Sequence, residues 1–194
     1  MGDQMLHYWE HFKTITHHKL MVMKGCFSVG MYWQGLLHDL SKYMPSEFIV
    51  GAKYYQGTQS PNNAERLDKG YSSAWLHHKG RNKHHYEYWL DYSSKKGEGI
   101  VPAKMPDRYV VEMFIDRVAA SKNYNLKNYT DDMPLKYYLK GESWRFMHKD
   151  TRRKLEFLLK MNAKFGEKRT MRYIRDNYKH GRLRLLKPAP NGRS

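Results

Sequence analysis

The sequence predicts an all-α protein. Three observations carry that prediction. Apolar residues recur at spacings of three and four through most of the 194 residues. No segment shows the strict alternation of a half-buried strand, and Gly, Pro and Asn cluster between the periodic stretches. There is no internal repeat.

Taken in order, residues 4–30 read as one long helix, loosened at Gly25. Residues 31–43 read as a second, stopped near Pro45, because proline disfavours helix in the residue before it. "SEFIVGAKYYQ" reads as a third helix with Ser46 as its N-cap. "GTQSPNNAERLDKG" reads as a loop from its Gly, Pro and Asn content. Residues 71–92 are again helical, either continuously or with a break at Gly80, and "SSKKGEGIVPAKMP" is a second polar loop. A helix from Asp107 to about Lys122 follows Pro106, and residues 132–140 and 143–165 supply two more. Residues 1–165 thus form a helical domain, and residues 166–194 a basic C-terminal segment, a helix then a loose tail, "KPAPNGRS". From Glu167 onward there are nine Lys/Arg against two acids, with Tyr173, Ile174, Tyr178 and Leu183 as apolar grip.

The length suits one domain with a core. Net charge is +16 with 16 tyrosines, which predicts anionic partners: a small-molecule substrate such as a nucleotide, or nucleic acid. Arginine interleaved with tyrosine suits single-stranded nucleic acid by charge plus stacking. The lone Cys26 excludes an internal disulfide and a cysteine zinc site, and fits a reducing, cytoplasmic setting. "MGDQMLHYWEHFK" is charged throughout and is not a signal peptide, and no apolar run is long enough to span a membrane. Nothing in the composition speaks to oligomeric state.

Of eleven histidines, seven fall as His17–His18, His38, His77–His78 and His84–His85. Imidazole beside carboxylate suits Mn, Fe, Co, Ni or Zn. Helix phase chooses within the doublets. In the first helix Tyr8, Phe12, Ile15, Val22, Met23 and Cys26 share a face, with His18 at its edge and His17 pointing away. His7 and His11 lie in the direction of His18 and read as surface residues. Further on, Trp75, His78, Asn82, His85 and Trp89 form the stripe with both tryptophans, which selects His78 and His85; a break at Gly80 would return His84. Glu112 and Asp116, four residues apart, face the same way as Met113 and Ala120, which favours Asp116 as a ligand and Glu112 as its support.

The order His18, His38-Asp39, His78, His84/His85, Asp116 resembles the HD superfamily of metal-dependent phosphohydrolases. "HDLSK" is similar to a His-Asp-x-x-Lys run in several of its branches. "HDLSKYMPSEF", "HHKGRNKHHYEYW" and "EMFID" resemble an uncharacterised family of HD-like proteins from bacteria and phages, over about residues 5–122. The resemblance implies an HD-domain-like helical bundle with additional C-terminal helices. It implies one or two divalent ions. His18, His38, Asp39 and Asp116 would hold one, while Asp39, His78 and His85 or His84 would hold the second. His78 and His84 stand closer together than the corresponding histidines of many members, which leaves the ion count at one or two. On a helix His38 and Asp39 would project about 100° apart, and both would reach the same ion. The implied reaction is attack of a metal-bound hydroxide on phosphorus. Lys42 would meet a phosphate, Glu47 would act as an acid–base group or support the third helix, and Arg81, Asn82 and Lys83 would contact substrate. Two alternatives accompany this expectation: a di-iron oxygenase with the same ligands, and a basic nucleic-acid-binding protein with a non-catalytic metal site.

Overall fold

The computed structural model describes residues 7–125 and 128–185. The expected tail, residues 187–194, and the first residues of the expected first helix lie outside the described residues. The architecture is all-α. Among the described residues there are nine α-helices: α1 (Tyr8–Ser28), α2 (Tyr32–Leu37), α3 (Pro45–Lys53), α4 (Pro61–Lys69), α5 (Ser73–Arg81), α6 (Asp107–Asn125), α7 (Met133–Lys140), α8 (Lys149–Phe165) and α9 (Glu167–Asn177). Two antiparallel ribbons accompany them: β1 (Leu90–Tyr92) with β2 (Ile100–Pro102), and β3 (Tyr178–Lys179) with β4 (Arg182–Leu183).

The centre of the bundle is α6. It buries Val110 through Ile115 together with Val118 and Ala119, the all-round burial of a helix enclosed by others. α1 and α8 pack against it, and Val22, Cys26, Phe114, Leu155, Leu158 and Leu159 are almost wholly removed from water. Each such side chain contributes about 1.5–3 kcal/mol by burial. α1 is unbroken at Gly25. That glycine permits contact instead: a Cβ there would stand 2.6 Å from Ile115 Cγ2.

Several elements differ from the sequence expectation. The second helix ends at Leu37; His38 is extended (φ −52°, ψ 126°), Asp39 is left-handed (φ 54°, ψ 25°), and a 3-10 turn follows at Leu40–Tyr43. Ser46 does not cap α3. Pro45 occupies the first turn and Met44 the cap position, with no side-chain cap bond, and the Ser46 hydroxyl instead meets His77 Nε2 at 3.0 Å. The expected loop at residues 57–70 contains α4. Its Pro61 stands in the first turn and Gly70 is left-handed just past the end (φ 80°), so the residues read as loop formers are a helix's borders. α5 starts at a true cap, Ser72 Oγ accepting from Trp75 N at 3.0 Å. It ends at Arg81 rather than running to residue 92, because Asn82 turns extended and its side chain takes the His78 carbonyl at 2.8 Å. The following polar segment pairs into a ribbon with register Leu90↔Pro102, Asp91↔Val101 and Tyr92↔Ile100; strands of three residues are too short to register as alternation. The helix expected over residues 143–165 is a 3-10 turn at Ser143–Phe146, an extended Met147, and then α8, capped by His148 Nδ1 accepting from Asp150 N.

The described part of the C-terminal segment, residues 166–185, is docked. Ile174 and Leu183 are core residues. Leu183 N donates to Asp107 Oδ2 at 2.8 Å, and Lys154 holds the same carboxylate. A Lys122–Glu167 ion pair ties α9 to α6. No helix among the described residues is long and apolar enough to cross a membrane.

Candidate metal centre

The buried stripe of α1 is His11, Ile15, His18, Val22 and Cys26, so His18 lies within it rather than at its edge. Tyr8 and Phe12 stay exposed; Tyr8 stacks on Phe48, and Phe12 meets Tyr43 edge-on. His17 is exposed, bonded to Asn123. His7 is partly exposed, but His11 is buried, contrary to the surface expectation. α3 approaches α1 closely enough that a Cβ on Gly51 would overlap the His11 ring. Burial and the Lys42 charge lower the His11 pKa to about 4, so it is neutral near pH 7.

His38 and Asp39 meet the centre from a turn, not from adjacent positions on a helix. The left-handed backbone at Asp39, which aspartate tolerates better than most residues, turns both side chains inward. Lys19 holds this turn, donating to the carbonyls of Leu36 and His38, both at 2.8 Å. Because α5 stops at Arg81, the helical stripe through His85 and Trp89 does not form. The turn beyond Asn82 returns both His84 and His85 to His78, with ring centroids 4.1 Å apart for His84–His85 and 4.8 Å for His78–His85.

Asp39 is the junction. Its Oδ1 lies 3.3 Å from His78 Nε2 and 3.4 Å from His84 Nε2. Its Oδ2 lies 3.3 Å from His38 Nε2, 3.8 Å from His18 Nε2 and 2.6 Å from Lys42 Nζ. Asp116 Oδ1 stands 3.0 Å from His18 Nε2 and 3.5 Å from His38 Nε2. Two donor groups therefore share one carboxylate: His18, His38, Asp39 and Asp116, and Asp39, His78, His84 and His85. Each can hold a metal ion. A third grouping, His38, His84 and Glu112, lies behind them, since Glu112 Oε1 faces the Nδ1 atoms of His38 (3.0 Å) and His84 (3.3 Å). Glu47 does the same for His78 Nδ1 at 2.8 Å and also takes His77 Nδ1 at 2.6 Å. A carboxylate at Nδ1 holds the proton there and leaves the Nε2 lone pair facing outward, as metal-ligating imidazoles need.

The donor atoms are short of partners. His38 Nε2, both oxygens of Asp39, His84 Nε2 and His85 Nε2 are buried without a hydrogen bond, although Asp39 Oδ2 has the Lys42 ammonium beside it as an ion pair. Leaving buried polar groups unmet is costly, and cations held in the two donor groups would meet all five. Their electrostatics agree. Burial raises the Asp39 pKa, but the neighbouring His38, Lys42 and His78 overcome it and hold the carboxyl well below its usual range. Asp116 is likewise held low against burial by His18 and His38. Burial lowers His18, and burial with the neighbouring imidazoles lowers His85 strongly, so both are neutral donors. His38 is the opposite: its carboxylate neighbours outweigh burial and raise it.

The centre opens on a cavity of about 940 Å³ whose wall includes His18, Lys42, His78, His85 and Asp116. Of the expected substrate contacts, Lys42 lies on this wall. Arg81 and Lys83 do not: both are exposed, and Lys83 lies over the Tyr88 ring. Asn82 is spent on structure, its amide bonding Ser41 Oγ and the His78 carbonyl. Both oxygens of Glu47 are engaged by imidazoles, the supporting arrangement. Residues the sequence reading passed over are Ser41, which links Asn82 to His78, and the cavity residues Arg66, Trp75, Arg117 and Tyr124. They come from separate segments, so no local spacing marks them.

A family model matches residues 7–161. The chain belongs to the DUF5662 family, a family of unknown function. The DUF5662 match runs from the start of α1 into α8 and includes every donor of the centre, while α9 and the β3–β4 ribbon lie beyond it. No curated protein and no solved structure matches the chain.

Proposed function

We propose that the protein is a metal-dependent phosphohydrolase of the HD type acting on a phosphate ester, with nucleotides the foremost class. The observation that carries this reading is the pair of donor groups sharing Asp39, with His38 Nε2, both Asp39 oxygens, His84 Nε2 and His85 Nε2 buried without a hydrogen bond, at the wall of a cavity bearing cations. Divalent ions held there would supply an acidified water and charge stabilisation for phosphoryl oxygens. His18, His38, Asp39 and Asp116 would hold one, and Asp39, His78, His84 and His85 the other. Glu112 and Glu47 orient the imidazoles from behind. Lys42 is placed to meet a phosphoryl oxygen as a point charge. The cationic wall favours phosphate over an oxygenase substrate.

The test is metal analysis and phosphate release on protein prepared with Mn, Fe or Co, across a panel of nucleotides and simple phosphate esters. We expect bound metal and turnover, both lost in His38→Ala. Glu112→Ala retains the fold and weakens metal binding by about 10–100-fold. Wild type without metal or turnover under every condition, or His38→Ala equal to wild type, overturns the reading.

A further inference from the structure

Beyond the metal donors and Lys42, the cavity wall carries charge with no role in the proposed hydrolysis. Its lining cations are Lys42, Arg66, Arg117, Lys136 and Lys140. Lys42 is paired with Asp39, and Lys136 with Asp132. Arg66 and Arg117 make no ion pair with a carboxylate among the described residues. Arg66, from α4, lies 5.5 Å over the Trp75 ring with one amine fixed by Asn63 Oδ1 at 2.9 Å. Trp75 in turn stacks edgewise on His85 at 4.7 Å. Arg66 is thereby held one ring away from the second donor group. Arg117 follows Asp116 on α6, its guanidinium 5.6 Å from the Tyr138 ring. Its Nε is buried and has no hydrogen-bond partner. Both guanidiniums line the same cavity as Tyr86, the neighbour of His85. The acids on the cavity wall are Glu47, bound by two imidazoles, Asp116, in the donor cluster, and Glu87. Glu87 faces Arg117 without closing to ion-pair distance.

Two guanidiniums on the wall of one cavity, each beside an aromatic face and one with an unmet buried N–H, suit a tetrahedral oxyanion, since arginine's planar fork matches phosphate. We propose that Arg66 and Arg117 form a second phosphoryl subsite beside the metal centre, so that the preferred substrate carries a further phosphoryl group linked to the scissile one. This rests on the phosphohydrolase reading for the word substrate, but the subsite itself is a binding site that stands without it.

The probes are inorganic pyrophosphate and inorganic phosphate, titrated calorimetrically into the full chain with and without Mn, alongside metal analysis. We expect pyrophosphate to bind more tightly than phosphate. Arg66→Gln or Arg117→Gln should each reduce that preference about tenfold, as the loss of one charge-assisted contact does, while phosphate affinity and metal content stay at wild-type levels. Arg66 lies on the partly exposed side of α4, so its variant keeps the test available if Arg117→Gln fails to fold. Equal affinity for the two anions in wild type, or an undiminished preference in the folded variants, overturns the subsite. Absence of bound metal with the preference intact overturns the hydrolase reading and leaves the subsite standing.

Discussion

Glu65 shows how far a single buried side chain can organise its surroundings. It is fully enclosed between α4 and α5. Its oxygens accept from Ser73 Oγ (2.6 Å), Ser72 Oγ (2.7 Å) and Ala74 N (3.4 Å), with Lys69 at 3.3 Å. Burial raises its pKa, but these donors outweigh burial, and the net shift is downward from 4.5. A depressed carboxyl stabilises the fold above its unfolded pKa, and that contribution is lost as the pH falls through the folded value. Glu65→Gln should therefore cost about 1–3 kcal/mol near neutral pH, since its amide faces donors it cannot satisfy. The gap from wild type in urea melts should narrow in acid, below about pH 4.5. A gap that stays constant into acid would show that charge is not what holds the two helices. The same logic of a carboxylate serving several donors recurs in Glu112 and Glu47, which were legible as acids near histidines but not as partners of particular Nδ1 atoms. That assignment depends on ring orientation, which no spacing encodes.

Helices meet here at distances set by their smallest residues. Gly25 on α1 leaves room for Ile115 on α6. Gly51 on α3 leaves room for the His11 ring, which explains why His11 is buried although its neighbours in sequence suggested a surface stripe. Gly25→Ala should lower the urea midpoint by about 1–3 kcal/mol equivalent through overpacking, despite alanine's better helix propensity; a stabilised variant would mean that α1 and α6 separate at no cost. At this scale the long, strongly periodic helices were readable: α1 and α8 lie within the expected spans, and α6 starts at the expected Asp107 but runs on to Asn125, past the expected end near Lys122. The errors fell where composition has two meanings. Pro61 and Gly70 mark a loop or the two ends of a helix, and the difference is whether Ala64 and Glu65 have something to be buried against. α5 stops at Arg81, where Asn82 turns extended while its backbone N–H and side-chain amide both donate to the His78 carbonyl, a local side-chain bond that asparagine characteristically makes.

The described residues close around α6, and α9 with the β3–β4 ribbon belongs to that closure. α9 contributes Ile174 and the β3–β4 ribbon contributes Leu183 to the core, with Asp107 accepting from Leu183 N and pairing with Lys154. Deleting residues 166–194 should thus destabilise the protein markedly instead of trimming a solvated arm. Ile174→Ala should cost about 2–5 kcal/mol in the intact chain. Both are measurable by thermal melts, and a truncated chain as stable as the full one would show that α9 is an appendage.

The sequence by itself determined the helical class, the strongest helices, and the set of imidazoles and carboxylates available for a metal centre. Those follow from local periodicity and residue chemistry, which a single chain displays directly. Only the tertiary structure decided that His38 and Asp39 sit on a left-handed turn, that His84 and His85 both return to His78, and that Arg66 and Arg117 face the cavity while Arg81 and Lys83 do not. Each of those outcomes depends on where a helix stops and what packs across from it. They are set by the competition of distant side chains for space and hydrogen bonds, which adjacent residues cannot report.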